Sequence, residues 1–241
     1  MVEIKGLEKF APKDFPGLIS STVFLPGCNF RCPFCHNSEL VLAPEGLATI
    51  PMDFFLAFLD SRKGWLEGIC VSGGEPLSQL RFAARILAEL KARKIHTALD
   101  TSGYAPWESL WSAASLADLV LFDLKMVDPE KHAAYTGVPN GIILDNLRKL
   151  SAAGRPIVIR IPLAKDVNDG PENIRRTIEF LKPLPAVRRI DLLRYHQGGR
   201  EKYKNLGRSE QFEIYEPPSP ERMEEIRRAF ADAGFAVTIG G

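Results

Sequence analysis

Hydrophobic and polar positions follow two periods along this chain. Continuous apolar, β-branched runs occupy 19–25, 68–72, 96–101, 119–124, 156–162 and 189–195. Runs of that length and composition read as strands buried on both faces. Between them, apolar residues recur at helical spacing over 52–63, 77–93, 106–114, 141–153 and 171–181. A last helix is predicted over 219–233, opened by Ser219 and Pro220 and stopped by Gly234, with a short terminal strand over 235–239. Strand followed by helix, six times over, predicts the α/β class, a parallel sheet with helices packed outside it. An open doubly wound sheet and an incomplete barrel both suit this pattern, and in both the chemistry sits at the C-terminal ends of the strands. No repeat or linker divides the chain, so residues 1–241 read as one domain. The polar, Gly-containing stretch 198–215 reads as a long surface loop near that same end.

Composition narrows the function classes. With 241 residues, 45% of them hydrophobic, the chain is long enough to bury a full core. Lys and Arg number 31 against 30 Asp and Glu, a net charge of +1. That balance carries no electrostatic footprint for nucleic acid or an anionic membrane. No run approaches the ~20 apolar residues of a membrane span. The first ten residues mix Glu3, Lys5, Glu8 and Lys9 with apolar ones, unlike a signal peptide, so a cytoplasmic location is expected. Of only four cysteines, three fall within eight residues, which points to a metal rather than to disulfides.

Those three, Cys28, Cys32 and Cys35, follow the first strand directly and lie in a loop at the expected active end. Thiolates are soft ligands that select iron–sulfur clusters or zinc. A closed zinc site would need Cys28, Cys32, Cys35 and His36, and the adjacent Cys35 and His36 would strain to face one metal. A [4Fe-4S] cluster usually takes four cysteines, so three leave one iron open to an outside ligand. Cys70, alone inside a strand-like run, reads as a small buried hydrophobe. At the end of the second strand stand Gly73, Gly74 and Glu75. Two glycines let the backbone approach a ligand without Cβ clashes, and the Glu75 carboxylate can meet a cationic amine or its own turn.

The cysteine triplet followed by Gly73-Gly74-Glu75-Pro76 resembles the radical S-adenosylmethionine superfamily. Further motifs resemble its glycyl radical enzyme activating enzymes, of the pyruvate formate-lyase type: Asp100-Thr101-Ser102-Gly103, Phe122-Asp123-Leu124-Lys125, Asp128-Pro129-Glu130-Lys131-His132, Arg160-Ile161-Pro162 and Leu192-Leu193-Arg194-Tyr195-His196. The resemblance implies a partial (β/α)6 barrel of the TIM-like kind. It also implies one [4Fe-4S] cluster on Cys28, Cys32 and Cys35, whose open iron chelates S-adenosylmethionine. Reductive cleavage then gives a 5′-deoxyadenosyl radical that takes a Cα hydrogen from a glycine of a partner enzyme. The cofactors carry the hard chemistry and the protein orients them, so no catalytic acid or base is named. By the same resemblance Phe34 and His36 lie beside the adenine, and Asn37, Gly73, Gly74, Glu75, Asp123, Leu124, Lys125, Arg160 and His196 join the cofactor contacts. Asp100, Thr101, Leu121 and Asp123 correspond to a monovalent-cation site for Na+ or K+, whose oxygen donors suit a hard cation.

Two departures bear on the partner. The Asp14-Phe15-Pro16-Gly17 segment, with Gly6-Leu7-Glu8-Lys9-Phe10 before it, looks closer to activators of anaerobic ribonucleotide reductase. Asp14 and the loop 198–207 are the candidate contacts with the partner. The eight-cysteine insert of many other activators is missing, so one cluster must draw electrons from an external donor such as flavodoxin or ferredoxin. A monomer, without nucleic acid or membrane, is expected, and a superfamily enzyme acting on a small molecule is the other reading of the same motifs.

Overall fold

Why the apolar runs become strands is plain in β3 (Gly68–Gly73), where all six residues are buried. The computed structural model describes residues 3–15 and 17–240, apart from the Arg188 side chain. Pro16 of the 14–17 motif therefore lies outside the described residues. The chain divides into two compact units, Met1–Asn29, Asn37–Thr101 and Ala105–Val120 in the first, and Phe30–His36, Ser102–Tyr104 and Leu121–Gly241 in the second.

The first unit holds β1 (Gly6–Glu8), β2 (Ser20–Leu25), α1 (Ser38–Leu42), α2 (Met52–Ser61), β3, α3 (Leu80–Ala92), β4 (His96–Thr101) and α4 (Trp107–Ala114). β1 runs antiparallel to β2, pairing Gly6 with Phe24. β2, β3 and β4 are parallel, with Ser20 beside Gly68 and Gly68 beside His96. Helix α3 buries Ala83, Ile86, Leu87 and Leu90, spaced three, one and three residues apart, which is one helical face. Those side chains share a core with Val23, Ile69, Val71 and Leu99, all fully buried. Each large aliphatic residue taken out of water contributes about 1.5–3 kcal/mol.

β5 (Leu119–Asp123) ends in the second unit, which continues with α5 (Pro129–Thr136), α6 (Gly141–Ala152), β6 (Ile157–Leu163), α7 (Pro171–Leu181), β7 (Val187–Arg194), α8 (Arg200–Asn205), α9 (Pro220–Asp232) and β8 (Ala236–Ile239). β6, β7 and β8 are parallel neighbours, in chain order. Phe122, Ile159, Ile190, Leu192, Leu147 and Phe230 are buried here. The Ser219 hydroxyl caps α9 by accepting from the Arg222 amide, with Pro220 in the first turn, as the sequence predicts.

Three differences from the sequence reading have physical causes. Helix α3 begins at Leu80 rather than 77, because Pro76–Gln79 forms a 3-10 turn capped by the Glu75 carboxylate. Helix α5 was hidden by weak apolar periodicity, although Asp128 caps it, Pro129 occupies its first turn and Gly137 ends it at φ 82°. The 198–215 stretch is not a plain surface loop: it contains α8, and it buries Tyr203 and Phe212 against each other with ring centroids 5.2 Å apart.

Candidate functional site

In the first unit the ends of β2 and β3 lie in register, Leu25 beside Gly73. The Gly74 amide donates to the Leu25 carbonyl at 3.0 Å and the Glu75 amide to the Gly27 carbonyl at 2.7 Å. The glycines are demanded by this backbone packing. At Gly73 (φ 147°) a Cβ would lie 2.1 Å from the Leu25 oxygen; at Gly74 it would lie 2.2 Å from the Gly27 oxygen and 3.2 Å from the Cys28 Cβ. The cysteine loop thus starts on the Gly-Gly turn. Asn37 seals the same turn, its Nδ2 donating to the Gly73 carbonyl at 2.8 Å. Glu75, 1% exposed, accepts from the Thr101 hydroxyl at 2.7 Å and the Leu77 amide at 3.1 Å, so its carboxylate organises its own turn. Asp100 accepts from the Ser72 hydroxyl at 2.7 Å. Asp14 accepts from the Thr22 hydroxyl of β2 at 2.8 Å. Cys70 is fully buried in β3.

In the second unit the Phe30–His36 half of the loop is tied by backbone contacts. The Arg31 amide donates to the Thr136 carbonyl at 2.9 Å, the Glu213 amide to the Pro33 carbonyl at 2.9 Å, and the Cys35 amide to the Cys32 carbonyl at 3.2 Å. Phe34 packs edge-on to Tyr215 and Tyr195, with ring centroids at 5.6 and 6.4 Å. His36 stacks on His196, centroids 3.9 Å apart and planes within 18°, and its Nε2 lies 2.8 Å from the His196 carbonyl oxygen. Burial pushes the His36 pKa below its ordinary value; the His196 carbonyl partly offsets this, while positive charge on His196, Lys125 and Lys202 adds to it. The Lys125 ammonium meets Asp123 at 2.8 Å, a partly buried ion pair at the end of β5. The Leu124 amide donates to the Arg160 carbonyl at 3.0 Å, joining the end of β5 to the middle of β6. Leu121 is 1% exposed.

Sequence reading did not single out Asn168, whose Nδ2 donates to the carbonyls of Lys125 (2.9 Å) and Pro162 (2.7 Å). Tyr203, within the 198–207 loop expected to meet the partner, donates its hydroxyl instead to the Cys32 carbonyl at 3.3 Å.

Cys28, Cys32 and Cys35 are half-buried thiols. Among the described residues no three His, Cys, Asp or Glu side chains already form a metal cage. The fit of a cluster therefore rests on the donor set, three soft sulfurs on one short loop, and on the backbone that holds this loop.

The pattern of residues 22–181 matches the family model of the radical SAM superfamily. The chain belongs to that superfamily. It is 41% identical to a trans-4-hydroxy-L-proline dehydratase activating enzyme of Clostridioides difficile, with 98% of each chain covered. It is 35% identical to a pyruvate formate-lyase-activating enzyme of Staphylococcus epidermidis, with 93% of each covered. These relatives place it among the activating enzymes of the superfamily. A solved domain of a pyruvate formate-lyase-activating enzyme from Bacteroides vulgatus shares 34% identity at TM-score 0.62, covering 72% of this chain and 99% of that one. Streptococcus suis SuiB bound to S-adenosylmethionine, at 15% identity, TM-score 0.70 and coverage of 89% of this chain and 48% of that one, shares the fold. The α/β class expected from the sequence holds, as the partial barrel of radical SAM enzymes. Membership implies a [4Fe-4S] cluster and S-adenosylmethionine. Among the described residues no helix is long and apolar enough to cross a membrane.

Proposed function

We propose that this chain activates a glycyl radical enzyme of the pyruvate formate-lyase type, and that residues 1–241 work as one radical SAM domain. The observation that carries the choice of partner is a difference in length. The alignment with the pyruvate formate-lyase-activating enzyme spans 235 positions. That with the hydroxyproline dehydratase activating enzyme spans 298, at least 57 more than this chain contains. The relative with the extra residues is the one named for activating a dehydratase.

Cys28, Cys32 and Cys35 would hold the cluster. When bound, the cluster and S-adenosylmethionine supply one-electron chemistry that removes a Cα hydrogen atom from a glycine of the partner. Because a hydrogen atom moves, no side chain here has to hold or pass a proton. The protein's own work is positioning, where a misplacement of about 1 Å can cost ~100-fold in rate. The Gly73–Glu75 turn sets the start of the cysteine loop, and Tyr195 and Tyr215 pack on Phe34 in its second half. The His36–His196 stack offers an aromatic platform to the adenine. Lys125 and Arg160 would meet the methionine carboxylate, Lys125 exchanging Asp123 for it. A Na+ or K+ ion on the oxygen donors named for it, a partner-peptide contact at Asp14, an external one-electron donor, a monomeric state and a cytoplasmic location belong to the same proposal.

The 41% identity favours a second reading, in which the partner is a hydroxyproline dehydratase. The anaerobic ribonucleotide reductase reading rests on the 6–10 and 14–17 segments.

Anaerobic reconstitution, reduction and EPR with and without S-adenosylmethionine test the site. A [4Fe-4S] signal that shifts on adding the cofactor is expected. Zinc in place of a cluster signal would return the three cysteines to a structural role.

A further inference from the structure

We infer that α8 and the segment after it clamp the second half of the cysteine loop, with Tyr203 as a positioning residue for the cluster ligands Cys32 and Cys35. This inference rests on the reading that those thiols hold a cluster.

A ligand loop without regular structure fixes its sulfurs only as well as its backbone is fixed. Here the backbone of 31–35 is anchored at several points. Beyond the turn bond from the Cys35 amide, the Cys32 carbonyl accepts from the Tyr203 hydroxyl at 3.3 Å, across 171 residues of sequence. Pro33 accepts from the Glu213 amide at 2.9 Å. At Gly199 a Cβ would stand 2.6 Å from the Cys35 carbonyl oxygen and 3.1 Å from the Phe212 ring. Gly199 has φ −75° and ψ −22°, which any residue adopts. Glycine is therefore required there by the approach of the loop and not by the local backbone.

The same logic separates the Tyr203 hydroxyl from its ring. The side chain is 4% exposed and packs on Phe212. A phenylalanine would fill that space equally well but would lose the hydroxyl that reaches the cysteine loop. The clamp holds Cys32 and Cys35 close to their ligating arrangement and slows escape of the iron they bind.

The test uses the full chain, as wild type, Tyr203→Phe and Gly199→Ala. Each is reconstituted with iron and sulfide without oxygen, and iron loss to a chelator is timed. In parallel, the metal-free chains are labelled with a maleimide and each cysteine's rate is read by mass spectrometry. In Tyr203→Phe, Cys32 and Cys35 should label roughly three- to tenfold faster, the change one net hydrogen bond supports. Cys28 and the buried Cys70 should keep their wild-type rates. Iron loss should accelerate by a similar factor, and the reduced cluster's EPR signal should broaden. Gly199→Ala should show the same pattern, more strongly. Unchanged rates at Cys32 and Cys35 in both variants, or equal acceleration of all four cysteines, would overturn the clamp. A wild type that takes up no cluster, while the two thiols still respond selectively, would refute the cluster reading and leave the clamp standing.

Discussion

The imidazoles of His36 and His196 are stacked 3.9 Å apart, and His36 also reaches the His196 carbonyl oxygen at 2.8 Å. One ring follows the cysteine triplet directly and the other follows β7, so the stack fixes the end of the cysteine loop to a strand end.

Replacing His196 with Ala removes the stacking partner and leaves the backbone carbonyl. Aromatic pairs contribute about 0.5–1.5 kcal/mol beyond their buried area. S-adenosylmethionine affinity should fall about three- to tenfold, measured by equilibrium binding to the reconstituted protein. Affinity equal to wild type would remove the pair from the cofactor site.

The two glycines of the β3 turn should be intolerant for steric reasons. Gly74→Ala sets a Cβ 2.2 Å from the Gly27 oxygen, whereas a Cβ at Gly46 meets nothing within 4 Å. Overpacking of this kind costs about 1–3 kcal/mol or more. Thermal melts should show Gly74→Ala clearly destabilised and Gly46→Ala within about 0.5 kcal/mol of wild type.

Much of this was legible beforehand and some was not. The β3 run, the α3 face and the cysteine and glycine motifs are contiguous in sequence, so period and spacing expose them. Glu75 reads as an amine ligand or as part of its own turn, and its bond from the buried Thr101 hydroxyl lies 26 residues away, beyond any local pattern. Tyr203 on Cys32, Asn168 on Lys125 and the His36–His196 stack join residues far apart in sequence, and no local pattern marks such pairs. Helix α8 is six residues long, too short for a periodic signal.

The Glu75–Thr101 bond yields a stability prediction. Thr101→Val deprives a buried carboxylate oxygen of a donor, which costs about 1–3 kcal/mol. At about 2–4 °C per kcal/mol for a chain of this size, the melting temperature should drop by several degrees, and Thr101→Ser should restore most of it. A Val variant as stable as wild type would contradict the role of this bond.

His132 predicts a pH dependence. It is 2% exposed, its Nδ1 lies 2.8 Å from the Val138 carbonyl oxygen, and burial lowers its pKa below 6.5. The unfolded chain therefore holds a proton that the folded chain does not, between the depressed value and 6.5. Stability is complete above 6.5 and falls as pH drops through that window, with His36 acting in the same direction. Denaturant titrations of wild type and His132→Gln across this window should show a shallower slope in the variant. Identical slopes would show that His132 is not held neutral by the fold.

Cysteine roles separate by iron content. Cys28→Ala, Cys32→Ala and Cys35→Ala should each fail to retain a cluster after reconstitution. Cys70→Ala, altering a fully buried side chain in β3, should retain it. Loss of iron in Cys70→Ala alone would reverse the assignment.

The most direct test is radical transfer itself. Reduced, reconstituted protein and S-adenosylmethionine would be incubated without oxygen with a pyruvate formate-lyase and, separately, a hydroxyproline dehydratase, followed by EPR and quantitation of 5′-deoxyadenosine. The account predicts a persistent glycyl radical on one of the two, matched by 5′-deoxyadenosine, with pyruvate formate-lyase favoured. Cofactor cleavage without a protein radical on either, or no cleavage by a protein with its full cluster, would contradict it.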